Sequence, residues 1–532
     1  MNNNINNTST HQPTTFENVR SQELESIQQV NIPSSIPRLD WTRSQIEAEQ
    51  TKQLRKVLAH AKQNSPFYAK RLAGIDPDTF ELKDLHKIEP VTKQDVMDNW
   101  DDIVTDPALT YAKANQHLEE LRDGKSDNYY YYGDNGKYYI CATGGSSGRR
   151  GMFLWDDDLF AKTSAITFRQ EALEDINEPH QQELPKRTAV ICAESYLHGS
   201  RHIFPQSPDS EREIKVFPAS VKFDDLVQQL NEYQPDRLVA YSSMIRLLCN
   251  EAISNRLDIP LKRIMSNSEP LEDETRQLAL DIWGINIHNC WGSVELGVAG
   301  MEGNDYDGII LAEDYHIVEA VDDSGSIIDS GEADHMLVTR LYGSSFPLIR
   351  YEVTDSPIIE WKPTGQAPAY RRITEIRGRS DVLFNYNCAD EPVKVHPMTF
   401  RQVLGQYPEI QEYQVTQTAN GANIDLLLTT GNSDGDAHHG SLTVMIQEIL
   451  HKKLVLLGLN DATVKVAVVE KLRRHPESNK LTRFVKLAQQ EERLPSRYQD
   501  DNVCSSSVDI SNKQCNMHES WHTSARESVR VC

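Results

Sequence analysis

Apolar positions along this chain follow two rhythms. Between Thr42 and Gln63, Ile46, Leu54, Val57, Leu58 and Ala61 recur at near-helical spacing, which predicts an amphipathic helix stopped by Pro66. From Tyr138 to about Asn289, short apolar runs alternate with amphipathic stretches. Thr188–Cys192, Ile214–Phe217, Arg237–Tyr241, Arg263–Ser266 and Ile285–His288 read as strands, and Phe223–Tyr233, Ser243–Ser254 and Glu272–Trp283 as helices between them. Alternation of this kind predicts an α/β fold, a mostly parallel sheet covered by helices. From Gly308 to Arg377 the pattern becomes β-rich, with strands at Gly308–Ala312, His316–Ala320, Met336–Arg340 and Ile373–Ile376. Past Arg379-Ser380-Asp381 lies a small α+β segment, with strands at Gln414–Gln417, Asn423–Thr429 and Thr463–Val469 and a helix near Ser441–Leu454.

The polar stretches divide the chain further. Residues 1–38 read as a disordered polar leader, residues 107–137 as a long Tyr-rich connection, and residues 493–532 as a disordered tail. A length of 532 residues exceeds one hydrophobic core, so the body between them is expected to divide into 39–379 and 380–492. No apolar run of about 18 residues predicts a membrane span. The start of the chain lacks an apolar secretory core, and the 8 cysteines are scattered without a C-x-x-C pair. A cytoplasmic protein is expected. The net charge of −24 argues against broad nucleic-acid binding and against an anionic membrane surface.

One stretch concentrates chemistry. The apolar run Tyr138–Ala142 meets Thr143-Gly144-Gly145-Ser146-Ser147-Gly148, followed by Arg149 and Arg150. Glycines let backbone N–H groups approach a ligand closely, and hydroxyls and guanidinium groups suit phosphate oxygens. The spacing is not that of a Walker loop. At the end of a parallel strand, such a loop would sit where α/β sheets bind ligands.

Four further segments carry candidate groups. Glu295, in Cys290-Trp291-Gly292-Ser293-Val294-Glu295-Leu296-Gly297, lies on a glycine-flanked turn after a strand and can offer Mg²⁺ an oxygen ligand. Asp355, ending the run Phe346–Asp355, can accept both hydroxyls of a ribose. Gly378-Arg379-Ser380-Asp381 falls at the composition shift, and Lys480 is a mobile cation in a late polar loop.

Taken in order, with Ser268-Glu269-Pro270 between the first two, these motifs resemble the adenylate-forming enzyme superfamily, most closely its phenylacetate–coenzyme A ligase-like branch. The likeness runs from about residue 50 to 490 and is carried by LRKVLAHAKQNSPFYAKRL (Leu54–Leu72), LEDETRQLALDIWGINIHNCWGSVELG (Leu271–Gly297), PLIRYEVTD (Pro347–Asp355) and IRGRSD (Ile376–Asp381). The resemblance implies an adenylation domain over 39–379 and a mobile C-terminal domain over 380–492. It implies ATP and Mg²⁺, with a small carboxylic acid activated as its acyl-adenylate and passed to coenzyme A. Thr143, Gly144, Gly145, Ser146, Ser147 and Gly148 would hold the phosphates. Ser268, Glu269 and Pro270 would line adenine, with Trp291 and Gly292 beside it. Glu295 would bind Mg²⁺, Asp355 the ribose, and Arg379 ribose or phosphate. Asp381 would be the hinge, and Lys480 would contact the reacting carboxylate. Tyr196, His198, Phe204, Tyr241 and Trp291 would suit a flat or apolar acid. A homodimer is left open.

The chain departs from that pattern at Arg150, where a proline is usual, at Val294, where a hydroxyl is usual, and at Asn479, where a glycine is usual. The stretch Asn385–Glu391 lacks the glycine expected near a thiol acceptor. Transfer to an amine or a carrier protein, and a silent nucleotide-binding protein, stay open as alternatives. Cys192, His198, His202 and Cys290 match no standard zinc spacing.

Overall fold

The computed structural model describes residues 15–122, 125–126, 128–142, 151–177, 185–192, 203–204, 213–219, 221, 223–304, 308–360, 369–379, 384–386, 393–395, 398–404, 407, 410–428, 436–474 and 481–487. Strands β1 (Tyr130–Tyr132), β2 (Lys137–Ala142) and β3 (Met152–Trp155) form an antiparallel sheet of their own. Every residue of β2 from Tyr138 to Ala142 is buried. Tyr139 and Cys141 enter one apolar cluster, and Tyr138, Ile140 and Ala142 enter another. A strand sandwiched between two cores loses its polar alternation and takes on the continuous apolar pattern of a parallel strand. This corrects the sequence expectation. The segment 143–150, itself outside the described residues, links two antiparallel strands, not a parallel strand to a helix.

The largest sheet has ten strands, in the order β13-β16-β17-β10-β9-β8-β7-β6-β4-β5. Its parallel half is β4 (Arg187–Cys192), β5 (Glu213–Pro218), β6 (Arg237–Tyr241), β7 (Arg263–Asn267) and β8 (Ile287–Ser293). Helices Phe223–Tyr233, Ser242–Ile253 and Asp273–Trp283 alternate with these strands, as the pattern predicts. Beyond β8 pairing turns antiparallel, through β9 (Gly297–Met301), β10 (Ile309–Leu311), β13 (Gly331–Glu332), β16 (Asp355–Glu360) and β17 (Arg372–Arg379). A four-stranded sheet of β11 (His316–Val321), β12 (Ile327–Ile328), β14 (His335–Arg340) and β15 (Tyr351–Val353) completes the β-rich part.

The C-terminal part holds the pair β18 (Phe384–Tyr386) and β19 (Val393–Val395) and a sheet ordered β22-β21-β20-β23. That sheet comprises β20 (Ile410–Thr418), β21 (Gly421–Leu428), β22 (Thr463–Val468) and β23 (Phe484–Val485). With helix Asp436–Leu456 it encloses a separate apolar cluster built around Phe384, Phe400, Val415, Ile446 and Phe484. The large α/β body with a small α+β part is the expected fold class.

Two expectations fail. The leader carries a helix over Thr15–Ser35, fixed by tertiary contacts: Glu23 accepts from Lys137 Nζ at 2.8 Å and from the Tyr130 hydroxyl. The stretch 107–137 contains helix Tyr111–Arg122 and strand β1. Among the described residues, no helix is long and apolar enough to cross a membrane.

Candidate active site

The carboxyl ends of β6, β7 and β8 supply one wall of the site. Tyr241 pairs with Asn267, and Ser266 with Asn289. Ser268 and Trp291 therefore each lie two residues beyond a paired position, at the same level of the sheet. Ser268 takes φ +64°, a left-handed conformation uncommon outside glycine that costs about 1–3 kcal/mol. That turn, closed by Glu269 N–H to Asn267 O at 2.8 Å, folds Glu269 back into the protein. Its Oε2 accepts the Ser243 amide at 3.0 Å, at the start of helix Ser242–Ile253, where a negative charge is favoured. Its Oε1 accepts the amide of Leu481, also at 3.0 Å.

The β8–β9 turn carries Glu295. A Cβ at Gly292 would meet Gly297 O at 2.3 Å, and one at Gly297 (φ +72°) would meet Thr163 Oγ1 at 2.2 Å, so both positions need glycine. Buried donors clasp the turn: Trp155 Nε1–H to Val294 O at 2.8 Å, Arg340 Nη1–H to Glu295 O at 2.7 Å, and Tyr342 O–H to Leu296 O at 3.1 Å. Trp155 lies on β3, so the strand following the glycine-rich segment is tied directly to this turn. The Glu295 carboxylate itself is half-buried and lies 3.5 Å from the Tyr351 hydroxyl. It is held by its backbone while its oxygens stay available.

Asp355 opens β16, where its Oδ2 accepts the Trp291 indole N–H at 2.8 Å. In the β16–β17 register Asp355 stands opposite Arg379. The run before it is anchored by Arg350, whose φ is +51°. Its guanidinium is buried and bidentate to Glu319 at 2.8 and 3.0 Å, and reaches Ile88 O at 2.6 Å. The motifs around Trp291, Glu295, Asp355 and Arg379 thus meet.

Trp291 is 5% exposed and packs with Val318, Met336 and Ile359, whereas Phe204 and Tyr241 belong to the cluster behind the parallel sheet. Phe204 meets Phe168 edge-on at 5.7 Å. Tyr241 and Phe204 therefore belong to one apolar cluster and Trp291 to another. Residues 143–148, Tyr196, His198, Asp381 and Lys480 lie outside the described residues. Cys192 and Cys290 end up on β4 and β8, which are three inter-strand steps apart, roughly 14 Å. A shared zinc ion cannot bridge that span.

Sequence reasoning missed the supporting groups. Arg350 had a signal, a cation inside an apolar run. His316 had none: it is fully buried, accepts or donates at 2.9 Å to the Tyr342 hydroxyl, and burial pushes its imidazole down to about 4.

No family model matches the chain. It is 24% identical to a phenylacetate–coenzyme A ligase of Pseudomonas putida over 78% of this chain and 89% of that one. A phenylacetate–coenzyme A ligase of Escherichia coli is 25% identical over 72% of this chain and 81% of its own. Among solved structures, 2-hydroxyisobutyryl-CoA ligase in the postadenylation state aligns with a TM-score of 0.63 at 16% identity, covering 84% of this chain and 91% of the other. Its open conformation aligns at 0.51, and its thioesterification state at 0.50. The chain thus resembles phenylacetate–coenzyme A ligases in sequence and shares the fold of the acyl-CoA ligase structures.

Proposed function

We propose that this chain is an ATP-dependent carboxylic acid ligase that makes an acyl-adenylate and then an acyl-coenzyme A thioester. The observation that carries the reading is that residues of separate motifs meet: the Trp291 indole bonds Asp355, Asp355 stands opposite Arg379 in the strand register, and Glu295 lies on the turn that follows the strand of Trp291. The coenzyme A ligase relatives from two bacteria support the acceptor.

In the first half-reaction a carboxylate oxygen attacks the α-phosphorus of ATP, the bond to the bridging oxygen breaks, and pyrophosphate leaves with the electron pair. In the second, the sulfur of coenzyme A attacks the acyl carbon, the carbon–oxygen bond to AMP breaks, and the thiol proton passes to solvent. No protein nucleophile is required. What the first step needs is positioning and neutralisation of two anions.

This chain's residues meet that need in named places. Asp355, oriented by Trp291, receives the ribose hydroxyls. Arg379, opposite Asp355, meets ribose or phosphate. Thr143–Gly148 enclose the outer phosphates, Ser268 and Pro270 border adenine, and Lys480 meets the attacking carboxylate. Glu295 fits Mg²⁺: magnesium at nucleotide sites takes one or two carboxylates plus phosphate oxygens and water, and Glu295 presents one half-exposed carboxylate on a rigid turn. When bound, the ion would supply charge neutralisation at the phosphates. An aryl or arylalkyl acid is the substrate class this reading favours, on the strength of the phenylacetate–coenzyme A ligase relatives.

The test is AMP release from ATP with phenylacetate as the probe acid, with and without coenzyme A. Release that depends on both, with thioester formed, supports the reading. Adenylate that coenzyme A leaves intact and an amine consumes would replace the acceptor.

A further inference from the structure

Four buried arginines of this chain carry a carboxylate each. Arg169 holds Asp314 at 2.8 and 3.0 Å, and Arg350 holds Glu319 at the same distances. Arg371 lies 2.9 Å from Glu313, and Arg483 grips Glu412 with two bonds of 2.8 Å. Arg340, the last residue of β14, is different. It is 1% exposed, and its guanidinium donates to carbonyls alone: Glu295 O at 2.7 Å, Gly343 O at 3.1 Å, and Phe346 O. Its Nε has no partner. Among the described residues, no carboxylate lies within ion-pair distance of it.

The surrounding turn holds this cation in place without neutralising it. Gly343 takes φ +68°, and a Cβ there would stand 3.4 Å from Arg340 Cζ and Nε and 3.0 Å from Leu159 Cβ, so glycine lets the turn close over the guanidinium. Asp156 and Asp158 act on Arg340 from farther away. Their oxygens are engaged by the same turn: Asp156 accepts the Ser345 amide at 3.2 Å and its hydroxyl at 2.6 Å, and Asp158 accepts the Gly343 amide at 3.2 Å. Burial outweighs their field and draws the guanidinium below its ordinary value, yet an arginine in a protein stays charged.

A buried charge without a bonded counter-ion is strongly destabilising, and it calls for a compensating charge. The position of Arg340 says where that charge would come from. It bonds the backbone oxygen of Glu295, the residue whose carboxylate would meet Mg²⁺ and phosphate. A guanidinium one side-chain length below that carboxylate lies roughly 10 Å from phosphate bound above it, where each unit charge is worth about tenfold in affinity at a protein-like dielectric.

We propose that Arg340 is the buried counter-charge for the phosphate chain of the bound nucleotide, a fixed cation under the Glu295 turn that favours ATP over nucleotides with fewer phosphates. The proposal rests on the ligase reading, which puts phosphate beside Glu295. Arg340 is a positioning residue, acting through its field and through the turn it clasps. Being fixed and shielded from water, its charge needs no reorganisation as pyrophosphate leaves.

The experiment compares the full chain with Arg340→Gln, which keeps a donor for the carbonyls and removes the charge, and with Arg340→Lys, which keeps the charge. Titration calorimetry in metal-free buffer measures affinity for adenosine, AMP, ADP, ATP and inorganic triphosphate. In Arg340→Gln, adenosine should bind as to the unaltered enzyme, and the loss should grow by about three- to tenfold with each added phosphate. Arg340→Lys should recover most of the loss for ATP. An equal loss for adenosine and ATP, no loss at all, or a lysine variant no better than the glutamine one would overturn the proposal. If pyrophosphate exchange occurs with some acid while Arg340→Gln binds ATP normally, the ligase reading stands and the counter-charge fails. If no acid supports exchange while triphosphate binding falls in Arg340→Gln and returns in Arg340→Lys, the ligase reading fails and the counter-charge stands.

Discussion

The Trp291 indole N–H and the Asp355 carboxylate are 2.8 Å apart, although 64 positions separate them in the chain. The bond joins the end of the parallel half of the sheet to the first residue of an antiparallel strand. It fixes one oxygen of that carboxylate in place. The account makes this an orienting bond, so its loss should show in nucleotide affinity. Trp291→Phe and Asp355→Ala should each weaken ATP binding by titration calorimetry, with a coupling of about 1–2 kcal/mol in the double-mutant cycle. Additive effects would mean that the bond does not serve the nucleotide.

Glu295→Ala separates chemistry from stability. The turn is held by Trp155, Arg340 and Tyr342 through backbone oxygens, and the carboxylate itself has little structural work. Adenylation should fall about 100-fold, with an urea midpoint equal to that of the unaltered enzyme.

Arg350→Met should do the opposite. It leaves Glu319 buried without its bidentate partner and the Ile88 carbonyl without a donor. A loss of about 3–5 kcal/mol is expected from denaturant titration at unchanged m-value.

Much of the fold was legible where local pattern and final environment agree. Helix Phe223–Tyr233 and strand Arg237–Tyr241 have the predicted bounds because each buries one well-marked set of apolar residues on the same core. β2 was misplaced because burial on both sides erased the alternation that distinguishes antiparallel strands. Helix Thr15–Ser35 carries no strong apolar stripe, and its anchors at Tyr130 and Lys137 lie more than a hundred residues away. Of the candidate site, the motifs of Glu295, Asp355 and Arg379 are visible in the sequence, and the structure adds the Trp291–Asp355 bond and the pairing of Asp355 with Arg379. The second contact of Glu269 could not, since its partner Leu481 is 212 positions distant.

His316 makes stability depend on acid. Burial holds its imidazole neutral, with a folded value of about 4 against 6.5 in the unfolded chain. Between these values the unfolded chain binds the additional proton, so stability rises with pH through that window and is complete above it. Lowering the pH from 7 to 4 should cost up to about 3 kcal/mol through this residue. In His316→Asn the fall between pH 6.5 and 4 should be shallower, measured by denaturant titration across that range. An unchanged slope would remove His316 as its source.

Activation of a carboxylic acid at the α-phosphorus of ATP is read most directly from acid-dependent exchange of labelled pyrophosphate into ATP, with Mg²⁺ and without coenzyme A, across aryl, arylalkyl, fatty and amino acids. Exchange is expected with at least one aryl or arylalkyl acid, and its near-complete loss in Lys480→Ala. Absence of exchange with every acid, from folded protein shown to bind ATP, would contradict acid activation.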